Sequence, residues 1–206
     1  MLLVCVFPEI QSFSMQNFQT QNISDEESLR QLYRPPSPGA IKKCIRHLDS
    51  HARQFISLSP FVLLATSDAR EACDISPRGG PPGHVAILDD RKLLLPDRPG
   101  NNRLDSFHNI LRFHHVGLLF FIPGVSETLR VNGRASICTC PDLLQRCMGG
   151  RPPKAGLVIE VEKAFLHCSM ALELARFWQP STWPQTRALP SAGKIWADHI
   201  SQFDVK

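Results

Sequence analysis

Two short stretches of this 206-residue chain set arginine among glycine, proline, serine and asparagine. The first reads Cys73-Asp74-Ile75-Ser76-Pro77-Arg78-Gly79-Gly80. The second reads Leu95-Pro96-Asp97-Arg98-Pro99-Gly100-Asn101-Asn102-Arg103-Leu104. A phosphate dianion asks for this chemistry. Arginine offers a planar fork of donors, and serine, asparagine and backbone N–H groups fill the remaining lone pairs. If Asn101 or Asn102 caps a helix, the free amides and the dipole of its first turn favour the same negative charge. Arginines in polar loops are also commonly solvated or paired with aspartate, and Asp97 and Asp105 are close in sequence, so spacing alone leaves both readings open. Neither a Gly-x-Gly-x-x-Gly after a strand nor a Gly-x-x-x-x-Gly-Lys-Ser/Thr is present, which excludes the dinucleotide fingerprint and the P-loop.

Short β elements must position these stretches. Apolar or alternating runs predict strands over Phe61–Thr66, Cys73–Ser76, His84–Leu88, Lys92–Leu95, Val116–Ile122, Thr128–Cys138 and Gly156–Ala164, with turns at Ser67–Arg70 and Asp89-Asp90. Helices are expected in five places. One starts at Ser24, with Glu27 completing a capping box, and runs to about Tyr33. A second covers Ala40–Leu48, where Ile41, Cys44, Ile45 and Leu48 recur at helical spacing. A third covers Arg103–Arg112, capped by Asn101 or Asn102. Pro141 opens a fourth, and Ser169–Trp178 forms the fifth. Gly149–Pro153 reads as a loop. The set predicts a mainly β, α+β barrel with helical caps.

Composition sets the bounds. The chain is 43% hydrophobic and 20% charged, which suits one globular domain with a sizeable core, and its 17 prolines favour short elements and many loops. The expected organisation is an N-terminal extension over 1–23, a barrel domain over 24–180 and a tail over 181–206. The formal charge of +4 is not gathered into a basic stripe, which argues against a nucleic-acid partner. No apolar run is long enough to span a bilayer, so no membrane partner is expected. The N-terminus lacks the basic flank and cleavage site of a signal peptide. Seven scattered cysteines (Cys5, Cys44, Cys73, Cys138, Cys140, Cys147, Cys168) lack zinc spacing and fit reduced thiols in the cytoplasm, with no metal site.

Taken together, several strings resemble the pyridoxamine 5′-phosphate oxidase-related, FMN-binding split-barrel family. They are Asp74-Ile75-Ser76-Pro77-Arg78-Gly79, Leu94 through Ser106, Asn109-Ile110 and Leu129-Arg130-Val131-Asn132-Gly133-Arg134-Ala135. The likeness is greatest to a mainly bacterial subgroup carrying the same combination. It implies a six-stranded antiparallel split β-barrel that forms a homodimer with FMN at the interface. In that scheme Ser76 and Arg78 contribute flavin and phosphate contacts, and Pro96, Asp97 and Arg98 run along the isoalloxazine and ribityl chain. Asn101, Asn102 and Arg103 close on the phosphate, and Arg130 and Asn132 reach the flavin from the other side. Trp178 and Trp183 lie in a tail that can cover the partner's flavin. The resemblance implies a flavin-dependent oxidoreductase acting on a small molecule, with a nicotinamide nucleotide as a candidate electron donor. The region Glu173–Pro180 lacks the Arg-rich substrate motif with its Leu-His pair found in true pyridoxamine-phosphate oxidases, so that substrate is not implied.

Two rival classes stay open. One is a non-catalytic flavin, deazaflavin or haem module, for which His84 or His167 would be the axial ligand. The other is an interaction protein without a ligand. Elsewhere the plain readings are preferred. His114 and His115 suit a helix C-terminus. His167 and Cys168 point to opposite faces of a strand and so do not pair as base and nucleophile. Glu160 and Glu162 line a solvated face, and only one of Phe120 and Phe121 faces the interior.

Overall fold

A computed structural model of the chain describes residues 22–68, 72–147, 151–184 and 189–203. Cys5, nearly all of the 1–23 extension and parts of the Ser67–Arg70 turn and the Gly149–Pro153 loop lie outside the described residues. The chain separates into two compact units, residues 1–41 and 42–206, each taken by itself.

In the first unit, α1 (Glu26–Leu32) is capped by Asp25 and not by Ser24. The Asp25 carboxylate accepts from the Ser28 amide and from its hydroxyl, both at 2.8 Å. That double acceptor outcompetes a single serine oxygen. α2 (Pro38–Lys42) starts with proline, which suits a first helical turn.

The helix expected over Ala40–Leu48 ends at Lys42. Ile45 instead pairs with Ala164 as an isolated antiparallel bridge, exchanging backbone bonds of 3.0 and 2.8 Å. Tertiary pairing overrides the helical spacing, and Leu48 goes into the core. A helix that the sequence reading missed follows at once. α3 (Ser50–Leu58) is capped by Asp49, which accepts from the Ala52 amide at 2.8 Å, and it buries Ala52 and Ile56 against the sheet.

The second unit is built on one antiparallel sheet of seven strands in the order β2-β1-β5-β6-β7-β4-β3. The strands are β1 (Phe61–Ser67), β2 (Cys73–Gly79), β3 (Ala86–Ile87), β4 (Lys92–Pro96), β5 (His115–Phe121), β6 (Thr128–Cys138) and β7 (Gly156–His167). All seven expected stretches form strands, one more than the six-stranded barrel implied. The extra strand is the two-residue edge β3, cut short because His84 belongs to a turn, its amide donating to the Pro81 carbonyl at 2.9 Å. β2 runs three residues past its expected end, through Pro77. Proline lacks an amide to donate, and an edge strand tolerates that.

Period-two alternation sends Val62, Leu64 and Thr66 of β1, Val116, Leu118 and Phe120 of β5, and Leu129, Val131 and Ala135 of β6 into one core. Phe120 is fully buried while Phe121 packs on Phe61 across the other face, with ring centroids 5.9 Å apart. Burying each large side chain contributes about 1.5–3 kcal/mol. β7 carries the sheet's one irregularity among the described strands. The register against β6 shifts at Asn132/Gly133, leaving an extra residue on β7. A Cβ on Gly133 would collide with the Glu160 carbonyl, so this strand crossing requires glycine.

α4 (Asp105–Arg112) packs across β1, β2 and β6. It starts at Asp105 and not at Arg103. Leu104 takes the N-cap position in the left-handed region, with no side-chain cap. Asn101 caps a tighter turn, accepting from the Arg103 amide at 3.1 Å. α5 (Pro141–Leu144) brings Leu144 over Leu94, and Cys147 joins them in a satellite cluster. α6 (Met170–Leu174) is shorter than expected, and the tail contains an unforeseen helix, α7 (Ala192–Ser201), capped by Ser191. Trp178 is tied down by an indole N–H bond of 2.9 Å to the Val125 carbonyl.

Candidate phosphate-binding cleft

The sheet brings β2 and the end of β4 to the start of α4, and the chain leading into β7 closes the remaining side. Between them lies a cleft of about 750 Å³. Seven of the ten expected residues line it: Ser76, Arg78, Asp97, Arg98, Asn101, Asn102 and Arg103. Pro96 is buried one step behind, opposite Gly156 on β7. Arg130 and Asn132 are not part of the cleft. They lie on β6, where Arg130 Nε donates to Asn132 Oδ1 at 2.8 Å. Among the lining residues outside the expected ten are Ser106, Arg151 and Lys154, each of which carries a hydrogen-bond donor.

Arg78 is the pivot. Its Nη2 donates to Ser106 Oγ at 3.2 Å, and its Nη1 lies 3.7 Å from Asp97 Oδ1. Ser106 Oγ is in turn 3.3 Å from Ser76 Oγ. Arg78 Nε is buried and has no hydrogen-bond partner. An arginine with a long aspartate contact and an orphaned donor is held in place but not saturated, as an oxyanion site requires. The aspartate-paired reading applies better to Arg103, whose Nε donates to Asp105 at 2.9 Å on the exposed rim.

Backbone geometry shapes the rim. Asn102 and Leu104 have φ of 59° and 60°, so the chain turns sharply on both sides of Arg103. Asparagine accepts that conformation readily, whereas leucine does so at a cost, a kind of strain that clusters around ligand sites.

Behind the rim, Asn109 locks α4 to the sheet. Its Nδ2 donates to Thr66 Oγ1 at 3.0 Å and to Asp74 Oδ2 at 2.6 Å. Replacing Asn109 with alanine leaves both acceptors without this donor. It is expected to lower stability by about 1–3 kcal/mol, read as a shifted urea midpoint with an unchanged slope.

His84 sits near the cleft with 1% exposure, and neither ring nitrogen makes a hydrogen bond. Burial pushes its imidazole below the usual range. The Pro81 carbonyl opposes this, the Arg98 charge adds to it, and the Ser59 carbonyl opposes it again. The unfolded chain therefore binds this proton more readily than the folded one as pH falls. Stability associated with neutral His84 is complete above about pH 6.5 and is lost as pH falls toward the lowered folded value. Denaturant midpoints of His84→Leu are expected to fall less between pH 7.5 and 5 than those of the native chain. Burial also raises the Cys147 thiol, which keeps it unreactive.

Among the described residues no three His, Cys, Asp or Glu side chains gather as a metal site, and no helix is long and apolar enough to cross a membrane.

Strand order, capping helices and the cleft at the head of α4 define an α+β split barrel. The chain belongs to the pyridoxamine 5′-phosphate oxidase family, whose sequence profile matches residues 48–168, more than half of its length. That family is of flavoprotein, oxidoreductase-like class. Among solved structures, HupZ of Group A Streptococcus is 23% identical, with a TM-score of 0.44, covering 57% of this chain and 92% of its own. A Clostridium acetobutylicum protein of the pyridoxinephosphate oxidase family, related to general stress protein 26, is 12% identical at TM-score 0.44, covering 57% and 85%. An F420 reductase is 17% identical at TM-score 0.41, covering 56% and 94%. No curated protein matches.

Proposed function

We propose that this chain binds FMN in the Arg78 cleft and serves as a cytoplasmic flavin-dependent oxidoreductase acting on a small molecule. The observation that carries the reading is the Arg78 guanidinium, positioned by Ser106 and Asp97 yet left with a buried, unpartnered Nε. Arg78, Ser76 and Ser106 would hold the phosphate. Arg103, with the turn at Asn101-Asn102, would close over it, and Asp97 and Arg98 would run along the flavin. When bound, FMN supplies the hydride or electron transfer. The protein binds and orients the flavin, and its cationic walls stabilise the cofactor's negative charge.

The second copy of the chain enters this reading through the sheet. β1 and β5 turn half-buried Leu63, Ala65 and Leu119 to the face away from the core, beside Ile75, which is 68% exposed. A homodimer covering that face would also bring Arg130 and Asn132 to the flavin held by the other subunit. A deazaflavin is the second reading. Arg151 and Lys154 add two cations to the cleft beyond those a single phosphate needs, and a longer anionic tail would use them.

The test is the absorption spectrum of the purified protein, with the released ligand identified by mass. FMN, or saturable uptake of added FMN, supports the reading. A deazaflavin mass selects the second reading. A colourless protein that takes up neither overturns both.

A further inference from the structure

Away from the cleft, one aromatic ring on the sheet gathers positive charge. Phe165 of β7 stands opposite Arg130 of β6. Lys43 Nζ and Lys163 Nζ each lie 5.4 Å from its ring centroid, and the Arg130 guanidinium carbon lies 5.7 Å from it. The His167 ring packs against the same phenyl group, with centroids 4.8 Å apart.

The three cations come from three parts of the chain, and two are fixed. Lys43 Nζ donates to the Leu166 carbonyl at 3.0 Å, and Arg130 Nε donates to Asn132. Among the described residues none of the three makes an ion pair. Glu162, the nearby carboxylate on β7, lies 3.8 Å from His115 instead. Three like charges within 5.7 Å of one ring centroid repel, and the ring offsets only part of that repulsion. A multiply charged oxyanion among the three would remove it.

We infer that Lys43, Arg130 and Lys163, around Phe165 and beside His167, form a second anion site. Its ligand is a phosphate or pyrophosphate group carried by the substrate or electron donor, distinct from the phosphate of the cofactor. The site stands on its own geometry, and its role in turnover rests on the proposed placement of Arg130 at the partner's flavin. The oxyanion sits between Lys43 Nζ, Lys163 Nζ and the outer edge of the Arg130 fork, with the ring as an apolar floor. His167 reports on its presence. Burial, then Arg130 and Lys43, hold its imidazole below the usual range, and a bound anion cancels the two charges.

The probe is inorganic pyrophosphate, added to the full chain at constant ionic strength while the His167 ring protons are followed by NMR. The signal is assigned from His167→Gln. The expected result is a saturable shift and a rise in the His167 titration midpoint, both in flavin-free protein and in protein reconstituted with FMN. The double variant Lys43→Gln/Lys163→Gln is expected to weaken pyrophosphate binding ten-fold or more while leaving FMN uptake in place. Arg78→Ala is expected to do the reverse, which separates this site from the flavin cleft. No saturable shift, or equal affinity in the double variant, overturns the proposal. A shift seen in flavin-free protein and abolished by FMN also overturns it, because the anion would then be the flavin's own phosphate.

Discussion

Arg78→Ala is expected to weaken FMN binding by ten-fold to a hundred-fold, with the fold intact. The change removes the buried Nε that lacks a partner and the Nη2 bond to Ser106. A hydrogen bond to a charged group contributes about 1.5–3 kcal/mol, and each 1.4 kcal/mol is roughly ten-fold in affinity. Arg78 lies on the edge strand β2 and on the cleft wall, outside the apolar core, so thermal unfolding should shift little. Arg78→Lys keeps the charge and loses the fork, and it should fall between the two. Arg103→Ala should cost less, because its guanidinium is exposed and already paired with Asp105. Fluorescence quenching of FMN titrated with flavin-free protein measures all three. Equal affinities for native and Arg78→Ala protein would show that the phosphate lies elsewhere.

Gly133→Val is expected to be the most damaging single change in the sheet. A Cβ there has the Glu160 carbonyl in its way, and that carbonyl belongs to backbone. Backbone cannot swing aside as a side-chain tip can. The collision falls where β7 leaves register with β6 and where the Val161 amide turns to the Arg91 carbonyl at 2.8 Å. Overpacking in a well-filled core costs typically 1–3 kcal/mol and sometimes more. Here about 3 kcal/mol or greater is expected, visible as a much lower melting temperature or as insoluble expression. Gly133→Ala should show a smaller loss in the same direction. A Gly133→Val protein that melts like the native one would mean that the strands part at little cost.

The strands were legible because period-two alternation and glycine- or proline-marked turns act locally. Seven of the ten expected site residues could be found because Ser76–Arg78 and Asp97–Arg103 are continuous polar strings at the ends of β2 and β4, and both line the one cleft although four strands separate β2 from β4 in the sheet order. What escaped reading depended on distant chain. Ile45 has helical spacing with Cys44 and Leu48 yet pairs with Ala164. α3 is only nine residues long, and its local signals, the Asp49 cap and Ala52, Phe55 and Ile56 at helical spacing, span barely two turns. Arg151 and Lys154 flank two prolines in a stretch that reads as any surface loop. The capping preference of asparagine predicts a helix from Arg103, whereas Asn101 spends its acceptor on the Arg103 amide and the helix starts at Asp105.

β7 pairs with β6 along its whole length, with β4 over its first residues and with Ile45 near its end. During synthesis, β4 leaves the ribosome well before the strand that joins it to β6. Until Gly156–His167 has followed, Leu93, Leu95, Val131 and Ala135 have no common neighbour to bury them. Sheets joined by such distant pairings fold slowly, because loop closure must come before the contacts that reward it. A nascent chain stalled ahead of residue 156 would therefore present bare strand edges and apolar surface, a natural client for a chaperone.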